Sequence, residues 1–429
     1  MKKKQKNSIF ANIKVKFKTN VIFRYSTTFI LFLLLTILML YISAIIPKNL
    51  IYDNVVKSLD YFEKFRYKQA FKFHKYSLLE GSGDVRNISI AYEMDSKEPI
   101  DSIIRLKFQK DISNLIDMKD TFVNRKGEVI NYSRYWRGQA MYSKIMLVFM
   151  NLKYTHIFQL AVMICLVAIL TYKLFKESKT LSISFIVMNI SINAFFTAFS
   201  VEYFFSILIA YIMSIIVINL YKKESIYIGI MFAISGIVTC VFDVLTCETL
   251  TLTLPLFIYV FLNIKDNKKI DIKDVLKYIL IWLTFYVLTF LTKWFITCFY
   301  LGFDYFPKIL NAMINRMGYN GLPFYVTYWK AIIRSLHTLL PFYYIKNGEY
   351  VVIALVLLCI IKVLKNNNNK YMLLLLIALL PLGRYLVLIS HGYTFYYYTY
   401  RAFGTLILFI SSMILGKPHI FSIPKNKNE

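Results

Sequence analysis

The chain has 429 residues, of which 58% are hydrophobic, with a mean hydropathy of +0.53 and a formal net charge of +27. So large an apolar fraction excludes an ordinary soluble domain and indicates a protein that crosses a membrane several times. In a soluble protein the positive charge would suggest nucleic acid, but here the lysines and arginines stand in short loops beside apolar segments, as membrane orientation requires. We therefore expect membrane lipids as partners and no nucleic acid.

The region 1–25 is rich in lysine, and the region 26–46 is the first apolar segment. That segment is too long for the hydrophobic core of a cleaved signal peptide, and it lacks a convincing small-residue cleavage site. We predict a basic cytoplasmic N-terminus followed by a first transmembrane helix that is retained.

Ten segments are apolar over roughly the 20 residues that a membrane-spanning helix needs. They are 26–46, 157–174, 180–197, 202–221, 226–242, 249–264, 278–300, 349–364, 371–389 and 402–416. Lysine-rich stretches follow every second segment, and all of them fall on one side of the membrane if ten helices cross it. The sequence therefore predicts an all-α polytopic protein of the cell membrane, with about ten transmembrane helices and both termini in the cytoplasm.

The polar region 47–156 then becomes a large extracytoplasmic loop between the first and second transmembrane helices. It is followed by a multi-span membrane domain, 157–416, and a cytoplasmic tail, 417–429. A loop of this length without structure of its own would be unusual, so we expect helices in it.

Hydrophobic spacing within the loop predicts a helix over 54–79. The stretch 88–108 is compatible with a helix or a strand. The stretch 137–152 has the pattern of an amphipathic helix that lies at the membrane interface and leads into the second transmembrane helix.

The five cysteines match no zinc-binding or CxxC spacing. Cys240 and Cys247 lie near one outer turn, where they either pair or remain free thiols, and the free form is the favoured alternative. We predict no cofactor, while a requirement for a divalent metal stays open.

Ionisable side chains in or beside the apolar segments gather on the predicted outer side. They are Glu202, Asp243, Lys293, Arg384, His391 and Arg401. Such residues are costly in a membrane and usually serve a function. Arginine binds phosphate oxygens in bidentate fashion and stays charged. A group of cations beneath an aromatic rim therefore predicts a site for a lipid phosphate or diphosphate.

Two carboxylates, Asp53 and Asp243, are candidate catalytic bases, since either could take the proton of an incoming hydroxyl. The candidate substrate-binding residues are Arg134, Trp136, Arg384, His391, Tyr400 and Arg401. Several of these residues also have a purely structural interpretation. The tyrosine-rich run 393–400 is more typical of an interfacial aromatic belt, Arg134 and Trp136 could equally anchor the second transmembrane helix, and Asp243 could only cap a helix.

Three motifs resemble those of a group of uncharacterised polytopic membrane proteins from low-GC Gram-positive bacteria. In this chain they occupy 134–138, 242–246 and 391–401. The motifs of that group read Arg-Tyr-Trp-His-Gly, Phe-Asp-Phe-Leu-Thr and His-Ser-x-x-His-x-x-Phe-Thr-Tyr-Arg. Arg137 and Phe395 stand where the resemblance would place histidines, so a mechanism that needs those imidazoles does not transfer.

A single first helix, a large outer loop with membrane-lying helices and many further helices also resemble the GT-C glycosyltransferases. That superfamily uses polyprenyl-phosphate sugars on the outer face and carries an essential acidic residue in its first outer loop, whose counterpart by position is Asp53. The paired acidic motif of many of those enzymes has no counterpart here.

The second resemblance implies an integral-membrane glycosyltransferase with a lipid-linked sugar as partner. It would move a sugar from a polyprenyl-phosphate donor to a glycan or lipid of the cell envelope. The alternatives are a transporter or flippase of lipid-linked glycans, and a polymerase of such glycans. Transport is disfavoured because few charges lie near the middle of the membrane and no paired helix interruptions stand out.

Overall fold

A computed structural model of the chain describes residues 15–17, 19–65, 81–110, 128–318, 321, 323–365 and 369–416. In this part of the chain the fold is all-α, as predicted. Its two strands form one short antiparallel pair, in which Phe108 lies opposite Ile130. The region 1–14, which holds most of the predicted basic N-terminus, and the predicted tail 417–429 lie outside the described residues.

The elements follow one another from the first apolar helix to the last. They are α1 (Val21–Ala44), α2 (Lys48–Phe65), α3 (Gly81–Glu93), α4 (Pro99–Arg105), β1 (Phe108–Gln109), β2 (Val129–Ile130), α5 (Gly138–Phe149), α6 (Leu152–Glu177), α7 (Lys179–Ser191), α8 (Val201–Leu220), α9 (Ser225–Phe242), α10 (Leu250–Lys265), α11 (Ile272–Leu301), α12 (Phe306–Met317), α13 (Phe324–Thr338), α14 (Gly348–Lys365), α15 (Asn369–Val387), α16 (Ile389–Thr394), α17 (Tyr396–Thr399) and α18 (Gly404–Leu415). Short 3-10 helices occupy Ala194–Phe199, Phe303–Tyr305, Phe342–Tyr344 and Tyr400–Phe403.

Among the described residues, seven helical segments are long and apolar enough to cross a membrane. They are Val21–Ala44, Leu152–Glu177, Val201–Leu220, Ser225–Phe242, Ile272–Leu301, Lys370–Val387 and Tyr396–Leu415. The helices α7 and α10 are apolar but shorter, and α14 carries Glu349, Lys362 and Lys365. Each of the ten predicted segments overlaps a helix, and the number that cross the membrane stays a prediction.

The third predicted segment, 180–197, ends earlier than expected. The helix α7 stops at Ser191, and Ala194–Phe199 forms a separate 3-10 helix. Asn193 between them has a φ of 52°, in the left-handed region, where a right-handed helix cannot continue. Asparagine adopts this region more readily than most residues, so the break has a local cause.

The ends of the long helices divide between two faces of the bundle. The loop face carries α2 to α5, α12 and α13, and the lysine face carries the lysine-rich connections. At the lysine face, Lys265 pairs with Glu177 at 3.0 Å, and Lys362 Nζ donates to the backbone O of Met413 at 2.6 Å. Each contact joins two helix ends that the sequence places on the same side, and the one-sided distribution of lysines over all connections stays a prediction.

The predicted loop forms a layer of helices on the loop face. The helix α2 covers the beginning of the predicted helix 54–79, of which 66–79 lies outside the described residues. The stretch 88–108 contains the end of α3, the whole of α4 and the first residue of β1. The predicted interfacial helix 137–152 corresponds to α5, which packs against α3 and buries polar side chains as well as apolar ones.

Lys144 of α5 shows how the loop layer is held to the bundle. Its Nζ donates to the backbone O of Met94 at 3.0 Å and to that of Ala44, at the end of α1, at 3.4 Å. Burial and the nearby charge of Lys48 lower the pKa of Lys144 to about 8. A buried lysine satisfied by carbonyls fixes the position of this layer.

The outer helices expose apolar side chains that have no protein to cover them. Ile30 and Leu34 of α1 are 55% and 59% exposed, and Phe299 of α11 is 77% exposed. The helix α8, in contrast, lies in the centre, with 67% of its apolar window buried. Apolar exposure on this scale along the outside of a bundle is the pattern expected for contact with lipid.

The helices α9 and α11 approach closely at Gly236. A Cβ at this position would lie 2.4 Å from the backbone O of Trp282 and 3.1 Å from the backbone N of Tyr286. Because both atoms belong to the backbone of α11, they cannot move aside by changing a rotamer.

We expect Gly236→Ala to lower the free energy of unfolding by about 1–3 kcal/mol, because α11 must shift to admit the methyl group. The control is Gly383→Ala in α15, where a Cβ would meet nothing within 4 Å. That variant should be at least as stable as the wild type, since alanine favours a helix over glycine. Thermal unfolding in detergent measures both, and equal stability of the two variants would refute the close contact.

Candidate functional site

Asp243 follows α9 at the loop face, and its carboxylate is buried in a polar pocket. The hydroxyls of Ser206 and Thr246 both donate to Oδ1, and the backbone N of Thr246 donates to Oδ2 at 3.1 Å. Burial and the negative charge of Glu248 raise the pKa of Asp243 to about 7, although the hydroxyls and Arg384 favour the charged form. A carboxyl group that titrates near neutrality is suited to accept a proton as a general base.

Arg384 of α15 reaches the same pocket and connects three groups. Its Nε donates to Glu248 Oε1 at 2.6 Å, and its Nη2 donates to the backbone O of Leu245 at 2.7 Å. The same Nη2 lies 3.4 Å from His391 Nδ1. Among the described residues, Arg384 Nη1 and Glu248 Oε2 have no hydrogen-bond partner, so the pocket offers one donor and one acceptor to a ligand or water.

The hydrogen bonds of His391 determine its tautomer. Arginine can only donate, so Nδ1 of His391 accepts from Arg384 and the ring proton lies on Nε2. That nitrogen is 3.3 Å from the hydroxyl of Tyr398. Burial and the charges of Arg384 and Arg316 lower the pKa of His391 well below 6.5, so the ring is neutral at pH 7.

Arg401 and Tyr400 lie beside this pocket. The Arg401 guanidinium is 5.6 Å from the ring of Tyr203 and 5.0 Å from that of Tyr400. Tyr203 in turn packs on Tyr398, with 4.9 Å between ring centroids, which places Arg401 close to the partner of His391. The Tyr400 hydroxyl donates to the backbone O of Ile192 at 3.1 Å, so this tyrosine ties the last 3-10 helix to the end of α7.

Five of the residues predicted from sequence therefore lie in one region: Asp243, Arg384, His391, Tyr400 and Arg401. Glu248, the ion-pair partner of Arg384, was not among the predicted residues. It lies in the turn that follows α9, and only the fold brings it against a helix more than a hundred residues later.

A second buried group, the Tyr132 cluster, consists of Tyr132, Arg86, Arg134, Arg137 and Glu202. The guanidinium groups of Arg134, Arg137 and Arg86 lie 4.3, 4.5 and 5.8 Å from the centre of the Tyr132 ring. Arg137 Nη1 is 3.3 Å from Glu202 Oε1. Burial would raise the pKa of Tyr132, but the charges of the three arginines outweigh it and lower that pKa to about 8.

The start of α8 separates the two groups. Glu202 faces the Tyr132 cluster, and the next residue, Tyr203, faces Tyr398 and Arg401. Arg134 was predicted from sequence, whereas Arg137 was noted only where the resemblance would place a histidine. Arg137 lies directly before α5, and this position directs its side chain into the cluster.

Two further arginines that the sequence analysis missed lie on α12 and α13. The guanidinium of Arg316 is 5.2 Å from the ring of Phe395. The guanidinium of Arg334 is 4.3 Å from the ring of Tyr393 and 5.4 Å from that of Tyr396. Arg334 is exposed and Arg316 is partly buried, so both are accessible from the loop face. The aromatic run 393–400 thus contacts cations of the protein, an arrangement that its composition alone did not indicate.

Trp136 holds the loop layer to α11. It is 3% exposed, and its Nε1 donates to the backbone O of Thr289 at 2.9 Å. Lys293 Nζ lies 5.5 Å from the Trp136 ring and donates to the carbonyls of Ile103 and Ile104 at 3.0 and 3.2 Å. The anchoring alternative placed Trp136 at the second transmembrane helix, whereas the structure packs it against α11, the seventh predicted segment. Stacking of Trp136 on a sugar stays a prediction that the placement does not favour.

We expect Trp136→Phe to lower the free energy of unfolding by about 1–2 kcal/mol, because the hydrogen bond to Thr289 is lost. Affinity for a lipid-linked sugar should not change. Thermal unfolding and a binding assay with the same lipid measure the two effects. A loss of affinity at unchanged stability would instead show that Trp136 contacts the ligand.

Asp53 lies apart from the pocket. Its side chain is exposed on α2, and no contact within the described residues joins it to Asp243 or Arg384. In the same described part of the chain, no group of three or more His, Cys, Asp and Glu side chains could hold a metal ion. Cys240 and Cys247 are both buried free thiols, the alternative that the sequence favoured.

The geometry of the pocket is the basis for assigning a function, because fold class alone does not determine chemistry. Comparisons of this chain with protein family models, with curated proteins and with solved structures found no match.

Proposed function

We propose that the protein is an integral-membrane glycosyltransferase that transfers a sugar from a polyprenyl-phosphate donor to a glycan or lipid of the cell envelope. The observation that carries this proposal is the meeting of Asp243, Arg384 and His391 in one polar pocket at the loop face. Such a reaction needs a base for the acceptor hydroxyl and cations for the leaving phosphate. Asp243 can serve as the base, and Arg384 and Arg401 are cations of the required kind.

In the proposed reaction the acceptor hydroxyl attacks the anomeric carbon of the donor sugar. The bond between that carbon and the phosphate oxygen breaks, and polyprenyl phosphate leaves with the electron pair. Asp243 takes the hydroxyl proton as the new glycosidic bond forms. Arg316 and Arg334, which are accessible, bind the leaving phosphate, and Arg401 adds positive charge deeper in the site.

We assign the catalytic base to Asp243 rather than to Asp53. Asp243 is held by two hydroxyls and has its pKa raised to about 7, whereas Asp53 is exposed on α2. Arg384 acts on Asp243 through its charge, the neutral His391 helps to position Arg384, and Arg384 offers Nη1, which lacks a partner among the described residues, to the substrate.

In the proposed orientation, the loop face lies outside the cell and the lysine face lies in the cytoplasm. Ten helices cross the membrane, and both termini are cytoplasmic. The lysine-rich connections support this orientation, since short cytoplasmic loops carry an excess of positive charge. A cytoplasmic loop face would separate the site from envelope acceptors and would contradict the proposed reaction.

The test is a transfer assay with purified full-length protein in liposomes that contain an envelope lipid extract as acceptor. The donors are polyprenyl phosphates that carry glucose, galactose or mannose. We expect sugar transfer and release of polyprenyl phosphate. Movement of the lipid-linked sugar across the bilayer without that release would identify a transporter. Transfer of glycan only from a polyprenyl diphosphate would identify a polymerase.

A further inference from the structure

Among the described residues, the Tyr132 cluster holds more positive charge than its one carboxylate balances. That carboxylate, Glu202, contacts Arg137 from Oε1 to Nη1 at 3.3 Å. The neighbouring carboxylate of Asp84 is already engaged by His156 Nε2 at 3.0 Å, by Ser200 Oγ at 3.2 Å and by the backbone N of Glu202 at 3.3 Å. Within the described part of the chain, three guanidinium groups thus share one counter-charge, a costly arrangement in a buried place.

Arg137 is buried without the partners that its charge requires. It is 1% exposed, and its Nε and Nη2 have no hydrogen-bond partner among the described residues. A guanidinium has five N–H donors in a fixed planar fork. Nη1 lies near Glu202 and Asn87, and the opposite side of the guanidinium, which carries Nε and Nη2, has the geometry to donate two parallel hydrogen bonds.

The backbone conformation of Arg137 determines the direction of its side chain. Arg137 has a φ of 55°, in the left-handed region that residues other than glycine seldom adopt. The next residue, Gly138, lies against α9, where a Cβ would be 2.8 Å from the Phe242 ring. Packing against α9 therefore holds a conformation that the chain would not adopt alone, and it aims Arg137 at Tyr132.

The cluster also has an open side. Arg86 and Arg134 are partly exposed, and Arg134 Nε has no hydrogen-bond partner in the described part of the chain. An anion at the loop face would therefore meet Arg86 and Arg134 first, and the buried Arg137 lies with them around the Tyr132 ring.

We propose that Arg137, Arg134 and Arg86 form a binding site for a phosphate group, either free in solution or in the headgroup of a lipid. The phosphate oxygens accept the parallel N–H bonds of Arg137 and supply the missing negative charge. The site lies on the other side of the start of α8 from the Asp243 pocket, and it requires no glycosyl transfer.

The test uses the full-length protein in nanodiscs of phosphatidylcholine, with inorganic phosphate or pyrophosphate added to the buffer, or phosphatidic acid added to the lipid. Binding of any of these to the folded state raises the temperature of unfolding. We expect at least one probe to stabilise the wild type. Stabilisation by the inorganic anions identifies a free phosphate as ligand, and stabilisation by phosphatidic acid alone identifies a lipid headgroup.

The variants Arg137→Gln and Arg134→Gln should weaken the apparent affinity for the active probe by about tenfold or more, the effect of losing a charged hydrogen bond. Arg134 is partly exposed, and its backbone O, which the substitution keeps, accepts the hydrogen bond from Trp294 of α11, so its variant should fold even if that of Arg137 does not. Arg134→Lys should retain part of the affinity. The matched control is Arg105→Gln, an arginine of the same layer that pairs with Asp101, and it should bind as the wild type.

Two results would overturn the proposal. One is a wild type whose unfolding temperature responds to none of the three probes. The other is equal binding by the wild type and Arg134→Gln, with the Arg105→Gln control unchanged.

Discussion

Asp243→Asn is expected to slow sugar transfer by about 10²–10⁴-fold, the usual loss when a positioned general base is removed. The amide can still accept hydrogen bonds from Ser206 and Thr246, so the pocket should keep its shape. The measurement is the rate of polyprenyl phosphate release in liposomes. Asp53→Asn is the matched control, because Asp53 is exposed on α2, and it should keep the wild-type rate.

The pH dependence of the rate separates a catalytic base from a residue that only shapes the pocket. Asp243 loses its proton as the pH rises through about 7, so the wild-type rate should rise across that pH and then level off. Ser206→Ala removes a hydrogen bond that favours the charged carboxylate. The pKa of Asp243 should therefore rise in this variant, and the rising limb should move to higher pH. A limb that stays in place in Ser206→Ala would argue against Asp243 as the titrating group.

The pH dependence of stability gives an independent control. The contribution of Asp243 to stability should fall over the pH range in which the transfer rate rises. The pKa of Asp243 in the folded protein, about 7, lies above its ordinary value of 3.8, so the folded state binds the proton more tightly than the unfolded state. This contribution to stability is complete below about pH 3.8 and is lost as the pH rises through 7. Asp243→Asn cannot lose a proton, so above pH 7 it should unfold at a higher temperature than the wild type. A variant that is inactive because it is misfolded would show the reverse.

The helices of this protein could be predicted because contact with lipid demands long apolar runs, and such runs are visible in the sequence. The sequence also predicts a division of charge between two faces, because membrane orientation depends on lysines close to the helix ends. The orientation stays a prediction. The end of α7 could not be placed, because a single residue, Asn193, turns the backbone there while the apolar composition continues.

The site could be predicted only in part. Asp243, Arg384 and His391 are conspicuous as polar residues beside apolar helices, and membrane energetics makes such residues rare. Glu248 and Arg137 occur in stretches that are polar in any case, so their burial leaves no pattern in the sequence. Arg316 and Arg334 lie on the amphipathic helices α12 and α13, where one arginine is compatible with an ordinary solvated face.

Arg384→Met is expected to destabilise the protein by about 3–5 kcal/mol, because it leaves the carboxylate of Glu248 buried without its partner. The side chains of Arg384 and Glu248 are 1% and 5% exposed, and Nε lies 2.6 Å from Oε1. Removal of Arg384 also leaves the backbone O of Leu245 without the hydrogen bond from Nη2, and it removes a positive charge near Asp243. The free energy of unfolding in mixed micelles, measured by titration with a denaturing detergent, gives the size of the effect.

The double variant Arg384→Met, Glu248→Leu should recover most of that loss, since a buried ion pair can be replaced by apolar side chains at little cost while a lone buried charge cannot. The matched control is Lys110→Met, which breaks the exposed pair between Lys110 and Glu128, 57% and 63% exposed, and should cost at most about 1 kcal/mol. The stable double variant should nevertheless transfer sugar poorly, because His391 and Asp243 lose the cation that lies beside both. If the double variant were as unstable as Arg384→Met, the guanidinium would be stabilising the carbonyl of Leu245 and the Asp243 pocket more than it stabilises Glu248. The site would then depend on Arg384 itself rather than on the ion pair.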